Sequence, residues 1–380
     1  MKPRILLIAF NRLIPAEQGN ARRIMQLVSL YEQQGFEIDL LYHQEEGHDL
    51  ALSHALAARF GRVVVLSSRA AKRIEQPAHV CRIVDWYDRQ LDAAVRELHQ
   101  LRNYRLVHAN YIWYAPVFEQ FGAEVIKVLD SHDIYAERAD KYRKAGMQPQ
   151  WFSTTRAEED QAFRRADAVL AIQKEEAVEM ATRGHRNILY LPYVEPQLLG
   201  FAAPKDTRPL ALGYLGSAND WNIRSLNQFL DALRRRGGHF AHHLLVAGAI
   251  TRHIGDVPGV VKLGFVKELG NFYKAIDIAI NPMVGGTGLK IKTVEPLCYG
   301  KPVLTTPAGA QGLCHLWELP VFDSADAMVD FLEQSTPDSS APAVPELYLQ
   351  AQRSRSALDH EYEVQVERFA RWLHSKLDPR

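Results

Sequence analysis

Cysteine is scarce in this sequence, and long apolar runs are absent. The chain of 380 residues contains three cysteines, Cys81, Cys298 and Cys314, which lie far apart. Their spacing fits neither a disulfide framework nor a zinc site and is typical of a reducing compartment. No apolar run approaches the ~20 residues that a membrane span requires. The first residues are too strand-like for a signal peptide, so we expect a soluble, cytoplasmic protein.

An excess of basic charge is also absent. Lysines plus arginines number 45 and so do aspartates plus glutamates, which gives a formal net charge of zero. Proteins that bind nucleic acid usually carry a basic excess, so we expect no nucleic-acid partner. The first predicted strand is not followed by Gly-x-Gly-x-x-Gly, which disfavours a nicotinamide dinucleotide. The acidic run Glu158–Asp160 lies in a predicted helix, and we interpret it as a solvated face.

Apolar runs of strand length alternate with segments of helical period along the whole chain, which predicts an α/β fold with parallel sheets. The length suggests two domains, each with its own core. We place the junction at 200–209, which contains two prolines and little apolar periodicity, and a linker at 334–345. Strands are predicted at 4–10, 37–42, 62–67, 105–109, 124–129, 168–173, 187–191, 210–215, 242–247, 260–263, 276–281, 302–305 and 320–322.

The stretch Ala279–Glu295 is the most informative part of the sequence. An apolar strand ends in a glycine-rich turn, Gly285-Gly286-Thr287-Gly288, and a helix follows that carries Lys290, Lys292 and Glu295. Helix N-termini bind anions through unpaired N–H groups and the positive end of the macrodipole, and glycines let a phosphate approach the backbone. The Glu295 carboxylate can accept hydrogen bonds from two sugar hydroxyls. This order predicts a site for a nucleotide-sugar diphosphate.

Weaker signals follow other predicted strands. Gly19 and Asn20 open the first helix, at the position where doubly wound folds bind phosphate, although a capped helix with a turn glycine is the better explanation of this signal alone. Asp130-Ser131-His132-Asp133 follows the fifth strand, and one carboxylate could orient the His132 imidazole. Gly216-Ser217 and Phe265-Val266 follow strands of the second half and suit a phosphate and a flat base. We interpret His108, Tyr111, Trp113 and Tyr114 as core residues, with an acceptor groove as the alternative for the three aromatic residues.

Together these segments resemble the GT-B glycosyltransferases of family 4. The resemblance rests on Gly286-x-Gly288-x-Lys290-x-Lys292-x-x-Glu295, followed by Gly300-Lys301-Pro302-Val303, and it extends over most of the chain. It implies the GT-B fold, with two Rossmann-like doubly wound domains facing a central cleft. Residues 1–200 would form the acceptor domain and 209–345 the donor domain. The closing helix, 346–380, would cross back towards the first domain.

The resemblance also implies roles for individual residues. Glu295 would bind the donor ribose, Lys290 would be the cation at the diphosphate, and His132 would face the transferred sugar. Further donor contacts would come from Gly19, Asn20, Gly216, Ser217, Phe265, Val266, Gly286, Thr287, Gly288 and Leu289. Arg138 matches an arginine that follows the His132 segment in some members.

The sequence departs from the family at three points. Thr287 stands where a glutamate often contacts the donor sugar. The loop Gly216–Asn222 lacks the basic pair that many members carry, so Lys290, helped by Arg224, would supply more of the positive charge. Pro296 follows Glu295 where alanine is usual, and proline inside a helix costs about 3 kcal/mol unless it lies near the first turn.

We therefore expect transfer of a sugar from a UDP-, GDP- or dTDP-sugar, with retention and without metal or cofactor. The acceptor would be a glycan, a lipid-linked molecule, a protein or another acceptor, with room for contact with the inner membrane surface. A GT-B nucleotide-sugar epimerase, a phosphorylase-like enzyme and a catalytically silent binding domain are the alternatives. The sequence gives no oligomeric state.

Overall fold

The computed structural model describes residues 2–44, 50–67, 80–204, 209–237, 240–313, 318–334 and 344–378. The chain divides into two compact units. The first comprises Met1–Tyr193 together with Val364–Arg380, and the second comprises Val194–Glu363. Parts of the predicted junction (205–208) and of the predicted linker (335–343) lie outside the described residues.

The first unit contains a seven-stranded parallel sheet with the strand order β3-β2-β1-β4-β5-β6-β7. Its strands are β1 (Arg4–Ala9), β2 (Glu37–Gln44), β3 (Val63–Ser67), β4 (Leu106–Asn110), β5 (Ile126–Asp130), β6 (Ala168–Ala171) and β7 (Ile188–Tyr190).

The continuous apolar run of β1 has a direct structural cause. Leu6 and Ile8 belong to the core on one face of the sheet, whereas Ile5 and Leu7 belong to the core on the other face. Because successive side chains alternate between faces, a strand buried on both sides must be apolar at every position. Full burial of each such side chain contributes about 1.5–3 kcal/mol to stability.

The second unit contains a five-stranded parallel sheet with the order β10-β9-β8-β11-β12. Its strands are β8 (Ala211–Leu215), β9 (His243–Ala247), β10 (Val260–Gly264), β11 (Ile278–Asn281) and β12 (Val303–Thr305). The predicted strand 320–322 is reduced to an isolated parallel bridge between Thr305 and Val321, in which Thr305 N–H donates to the Pro320 carbonyl and Phe322 N–H donates to the Thr305 carbonyl.

Helices connect the strands of both sheets. The α-helices are α1 (Gly19–Gln33), α2 (Leu50–Arg59), α3 (Ile83–Trp86), α4 (Gln90–Arg102), α5 (Arg138–Lys144), α6 (Arg156–Arg164), α7 (Lys174–Thr182), α8 (Asp220–Arg235), α9 (Leu269–Ala275), α10 (Ile291–Cys298), α11 (Ala325–Gln334) and α12 (Val344–Leu377). The part of the chain that the structure describes also contains the 3-10 helices Ile112–Gln120 and Ala249–His253. Within the described residues, no helix is long and apolar enough to cross a membrane.

The order of strands defines where ligands bind in such sheets. In the second unit the chain moves outward from β8 to β10 and then returns to place β11 on the other side of β8. Ligands of open α/β sheets bind outside the carboxyl ends of the strands at such a switch point. Here the switch point lies between the loop that begins at Gly216 and the loop that leads to α10.

Candidate functional site

The loop between β11 and α10 forms a tight turn that needs glycine. Gly286 and Gly288 have φ values of 104° and 71°, a region that other residues adopt only with strain. At Gly285 a Cβ atom would lie 2.3 Å from the Trp221 ring, so the loop lies directly on that indole. Thr287, where the resemblance expects a glutamate, lies in this turn and is half-buried.

Lys290 occupies the N-cap position of α10 and is buried, with 7% of its surface exposed. Its ammonium donates hydrogen bonds to the carbonyl oxygens of Thr287 (3.2 Å) and Gly288 (2.7 Å). The Lys290 charge therefore holds the glycine-rich turn together. The first amides of α10 are also engaged, because Ile291 N–H donates to Leu289 and Thr293 N–H donates to Lys290.

Glu295 is buried on α10, with 3% of its surface exposed. Its Oε1 accepts a hydrogen bond of 2.5 Å from the Tyr273 hydroxyl on α9. The Tyr273 ring stacks on Tyr299, with 4.3 Å between ring centroids, which fixes the ring that holds the carboxylate. Pro296 follows beyond the first turn of α10, and the helix ends two residues later.

Lys292 was not among the predicted site residues, yet its ammonium lies at the switch point. Its Nζ donates to Asn222 Oδ1 at 2.9 Å and lies 5.9 Å from the centroid of the Tyr214 ring. Burial lowers the pKa of Lys292 to about 8, with Lys290 acting in the same direction and Glu295 against it. The sequence signal was the Lys-x-Lys pair, but spacing alone could not show which lysine faces the neighbouring loop.

Hydrogen bonds from two asparagine side chains hold the loop after β8 in place. Asn219 caps α8 by accepting from Asn222 N–H, and Asn222 Nδ2 donates to the Ser217 carbonyl at 2.9 Å and to Ser217 Oγ at 3.1 Å. Gly216 N–H donates to the Ala247 carbonyl, and the Ser217 side chain is exposed.

Of the predicted base contacts, Phe265 follows β10 at the same edge of the sheet and is 74% exposed. Val266 beside it is half-buried.

In the first unit, His132 follows β5 and adopts φ = 61°. Its Nε2 lies 3.0 Å from Asn110 Oδ1, and its ring stacks on Tyr111 at 4.1 Å. The Asn110 amide nitrogen donates to the Ile8 carbonyl, so its oxygen faces the imidazole. Burial lowers the pKa of His132 to about 4 although Asp130 acts against it, and the ring is therefore neutral at pH 7.

The orienting partner of His132 differs from our expectation. Asp130 forms a buried ion pair with Arg23 of α1, whose Nε lies 3.0 Å from Asp130 Oδ2. Asp133 Oδ1 accepts from the Ile134 N–H at 2.8 Å. The hydrogen bond of the His132 imidazole is therefore to the Asn110 amide, and Asp130 Oδ2 lies 3.9 Å from the same ring nitrogen.

The interpretation of Glu158–Asp160 as a solvated face is wrong for its central residue. Glu159 is fully buried, and its Oε1 accepts from the N–H groups of Tyr135 (2.7 Å) and Ala136 (3.2 Å). Its other oxygen pairs with Arg183 at 2.6 Å. Burial raises the pKa of Glu159 in spite of Arg183. This carboxylate therefore fixes the segment that follows His132, and helical periodicity could not reveal it.

The remaining predicted residues have plain structural environments. Gly19 is the first residue of α1, and Asn20 Oδ1 accepts from Ala21 N–H at 2.8 Å. The core assignment is confirmed for His108, Tyr111, Trp113 and Tyr114, which are all buried. Arg138 lies over the rings of Tyr135 and Tyr142. No cluster of three or more His, Cys, Asp or Glu side chains suited to a metal ion occurs in the described ranges.

Residues 209–332 match the protein family described as glycosyl transferases group 1. No curated protein sequence matches the chain. Among solved structures, Anabaena Alr3699/HepE in complex with UDP and glucose is 16% identical, with a TM-score of 0.66 over 98% of this chain and 100% of that one.

Two further structures are similar over nearly the whole chain. Sucrose-phosphate synthase (tll1590) from Thermosynechococcus elongatus is 14% identical, with a TM-score of 0.69 over 98% of this chain and 99% of that one. A TarM variant from S. aureus, in complex with fondaparinux, alpha-GlcNAc-glycerol and UDP, is 10% identical, with a TM-score of 0.70 and full coverage of both chains. The fold of the two sheets is therefore that of GT-B glycosyltransferase structures, as the sequence predicted.

Proposed function

We propose that this protein is a glycosyltransferase that moves a sugar from a nucleotide-diphosphate donor to a hydroxyl of a glycan, lipid-linked or other acceptor. One observation carries the proposal. The buried carboxylate of Glu295 lies on α10, the helix that follows a glycine-rich turn at the switch point of a parallel sheet, and it accepts a hydrogen bond from Tyr273 on α9. The segment lies within the residues that match the group 1 glycosyl transferases.

Glu295 is proposed to bind the ribose of the donor. A carboxylate accepts hydrogen bonds at about four lone-pair positions on its two oxygens. Adjacent hydroxyls of a ribose present two donors to one carboxylate. The fixed Tyr273 ring supports this role because a carboxylate that is already oriented loses less conformational entropy on binding.

The diphosphate is proposed to lie along Gly286, Thr287, Gly288 and Leu289, at the positive end of the α10 dipole. Lys290 keeps this turn closed through two carbonyl oxygens and adds charge beside it. Gly216 and Ser217 would border the phosphates from the loop after β8. The exposed Phe265 ring, with Val266 beside it, would stack on the base.

The reaction is proposed to proceed with retention and without a metal ion, as the family resemblance implies. Bond cleavage leaves negative charge on the departing diphosphate, and fixed dipoles and lysine charge at α10 stabilise it. In the first unit, His132 would contact the transferred sugar as a neutral hydrogen-bonding group, and Gly19 and Asn20 would contribute phosphate contacts. We also propose a cytoplasmic location with room for contact with the inner membrane surface.

A thermal-shift and calorimetry screen tests the donor site. UDP, GDP, dTDP and their sugars are titrated with EDTA present into wild type, Glu295→Gln and the control Glu363→Gln, which changes an exposed residue of α12. At 100 times Kd the correct nucleotide should stabilise wild type by about 2.7 kcal/mol. We expect at least a tenfold loss of affinity for Glu295→Gln and none for the control. Equal affinity of all three proteins would refute the ribose role.

Turnover of the sugar that binds separates the alternatives. A transferase should release the nucleotide diphosphate faster when the acceptor is supplied, whereas an epimerase should convert the sugar with no acceptor present. Tight binding with no turnover under either condition, across a panel of glycan and lipid-linked acceptors, would favour a catalytically silent domain.

A further inference from the structure

The Lys292 side chain links two neighbouring loops of the second unit. It begins in the first turn of α10, after β11, and its ammonium reaches Asn222 in the first turn of α8, after β8. Because β8 and β11 are adjacent in the sheet, both loops start from the same edge at the switch point. A positive charge therefore lies at the centre of the edge where ligands of this fold bind.

The immediate surroundings leave donors available to a ligand. The ammonium has three N–H bonds, and its hydrogen-bond acceptor among the described residues is Asn222 Oδ1. The Tyr214 hydroxyl, on a fully buried side chain, has no hydrogen-bond partner within the part of the chain that the structure describes. A buried hydroxyl without a partner is unfavourable, and an anion with several oxygens would satisfy both groups.

The backbone next to Lys292 is shaped for close approach. A Cβ atom at Gly216 would lie 2.7 Å from Tyr214 Cε1, 3.2 Å from the Tyr214 hydroxyl oxygen and 3.3 Å from Lys292 Cε. Gly216, the Tyr214 hydroxyl and the Lys292 side chain thus meet at one point. The loop Gly216–Asn222 itself contains no lysine or arginine, so Lys292 brings positive charge to it from α10.

Lys290 is less suited to this task. Its ammonium donates to two carbonyl oxygens of its own turn, at 3.2 and 2.7 Å, and these bonds would have to break or lengthen for a phosphate to take their place. Two of the first amides of α10 also donate to backbone carbonyls. Lys290 is therefore placed to shape the turn, whereas Lys292 has donors to offer.

We infer that Lys292 is the residue that binds the diphosphate oxygens of the donor nucleotide, with Asn222 as the residue that positions its ammonium. This inference rests on the proposed function, since it names the cation of the same donor site. Lys292 supplies, from α10, the positive charge that the loop after β8 lacks.

Calorimetric titrations of UDP, GDP and inorganic pyrophosphate, with uridine and guanosine for comparison, test this assignment. We expect Lys292→Met to weaken binding of the preferred nucleotide roughly tenfold to a hundredfold while binding of its nucleoside is unchanged. Asn222→Asp keeps the shape of the side chain but places a carboxylate 2.9 Å from the ammonium, and it should weaken nucleotide binding to the same extent. The control Lys274→Met removes an exposed lysine of α9 and should bind as wild type does.

The outcomes distinguish this inference from the proposed function. Nucleotide binding within about twofold of wild type in both Lys292→Met and Asn222→Asp would overturn the inference while leaving the donor site intact. If wild type binds pyrophosphate in a Lys292-dependent way but no nucleotide, the phosphate assignment stands and the proposed function fails. If wild type binds neither, both fail. Melting temperatures show whether each variant is folded. If Lys292→Met does not fold, Asn222→Asp alone tests the inference.

Discussion

The orientation of Glu295 depends on a tyrosine 22 positions earlier in the chain. This dependence predicts that Tyr273→Phe weakens nucleotide binding about tenfold, because loss of one hydrogen bond to a charged group costs about 1.5 kcal/mol. The ring still stacks on Tyr299 in this variant, so the fold should change little. Calorimetry with the preferred nucleotide diphosphate measures the effect. Unchanged affinity would mean that Tyr273 does not orient the carboxylate for binding.

The lowered pKa of Lys292 predicts a pH dependence of diphosphate binding. Below a pKa of about 8 the ammonium is charged, so affinity should be constant from pH 7 to 7.5 and should fall as the pH rises through 8 to 9. Lys290 and Glu295 face the ammonium from its own segment, Asn222 from α8 and Tyr214 from β8, where burial raises the pKa of the phenol.

Arginine at position 292 provides the control for this profile. The guanidinium stays charged across the range, so Lys292→Arg should show a flat profile from pH 7 to about 9.5. The phosphates of the nucleotide are ionised above pH ~7, so they add no pH dependence of their own to the binding affinity. An equal decline in wild type and Lys292→Arg would assign the titration to another group.

At the scale of the elements, the contact between the β11–α10 loop and α8 sets the shape of the turn. Gly285→Ala would place a methyl group 2.3 Å from the Trp221 ring and must displace the ring or the loop. We expect a loss of about 1–3 kcal/mol in the free energy of unfolding, together with weaker nucleotide binding. Urea denaturation and calorimetry measure the two effects.

Gly270→Ala is the matched control. A methyl group there has no neighbour nearer than 3.9 Å, at Tyr299 Cε1, and alanine is favoured over glycine within a helix such as α9. It should therefore leave nucleotide affinity unchanged and raise stability by up to about 1 kcal/mol. Equal behaviour of the two variants would show that the Gly285–Trp221 contact does not shape the turn.

At the scale of the whole molecule, two buried histidines of the first unit make stability sensitive to acid. Burial lowers the pKa values of His108 and His132 to about 4, below the ~6.5 of the unfolded chain. Between these two pKa values the folded state therefore binds fewer protons than the unfolded chain. The stability that the two neutral histidines contribute is complete above pH ~6.5 and is lost as the pH falls towards 4.

At pH 5 each of these histidines should reduce the free energy of unfolding by about 2 kcal/mol relative to pH 7.5. Urea denaturation of wild type and His132→Asn at both pH values measures the effect, and the variant should lose less stability on acidification. His253→Gln, which changes an exposed histidine, should behave as wild type. The same pH difference in all three proteins would contradict the assignment.

The sequence predicted the strands well because burial on both faces leaves a direct mark, a continuous apolar run as in β1. The segment 320–322 has such a run but pairs only through Val321, since pairing depends on the neighbouring strand. Glu295 was identifiable from its distance to a helix start. Tyr273 and Asn222 could not be identified from the sequence, because Tyr273 lies 22 positions from Glu295 and Asn222 lies 70 positions from Lys292.

The central claim is that a nucleotide diphosphate binds the second unit at the loop 286–290, the start of α10 and the loop after β8. Hydrogen–deuterium exchange of the wild-type chain, with and without the nucleotide selected by the screen, tests it directly. We predict that the nucleotide slows exchange in peptides covering 284–295 and 214–224, and that Glu295→Gln diminishes this protection. Protection confined to other segments, with these two peptides unchanged at saturating nucleotide, would contradict the account.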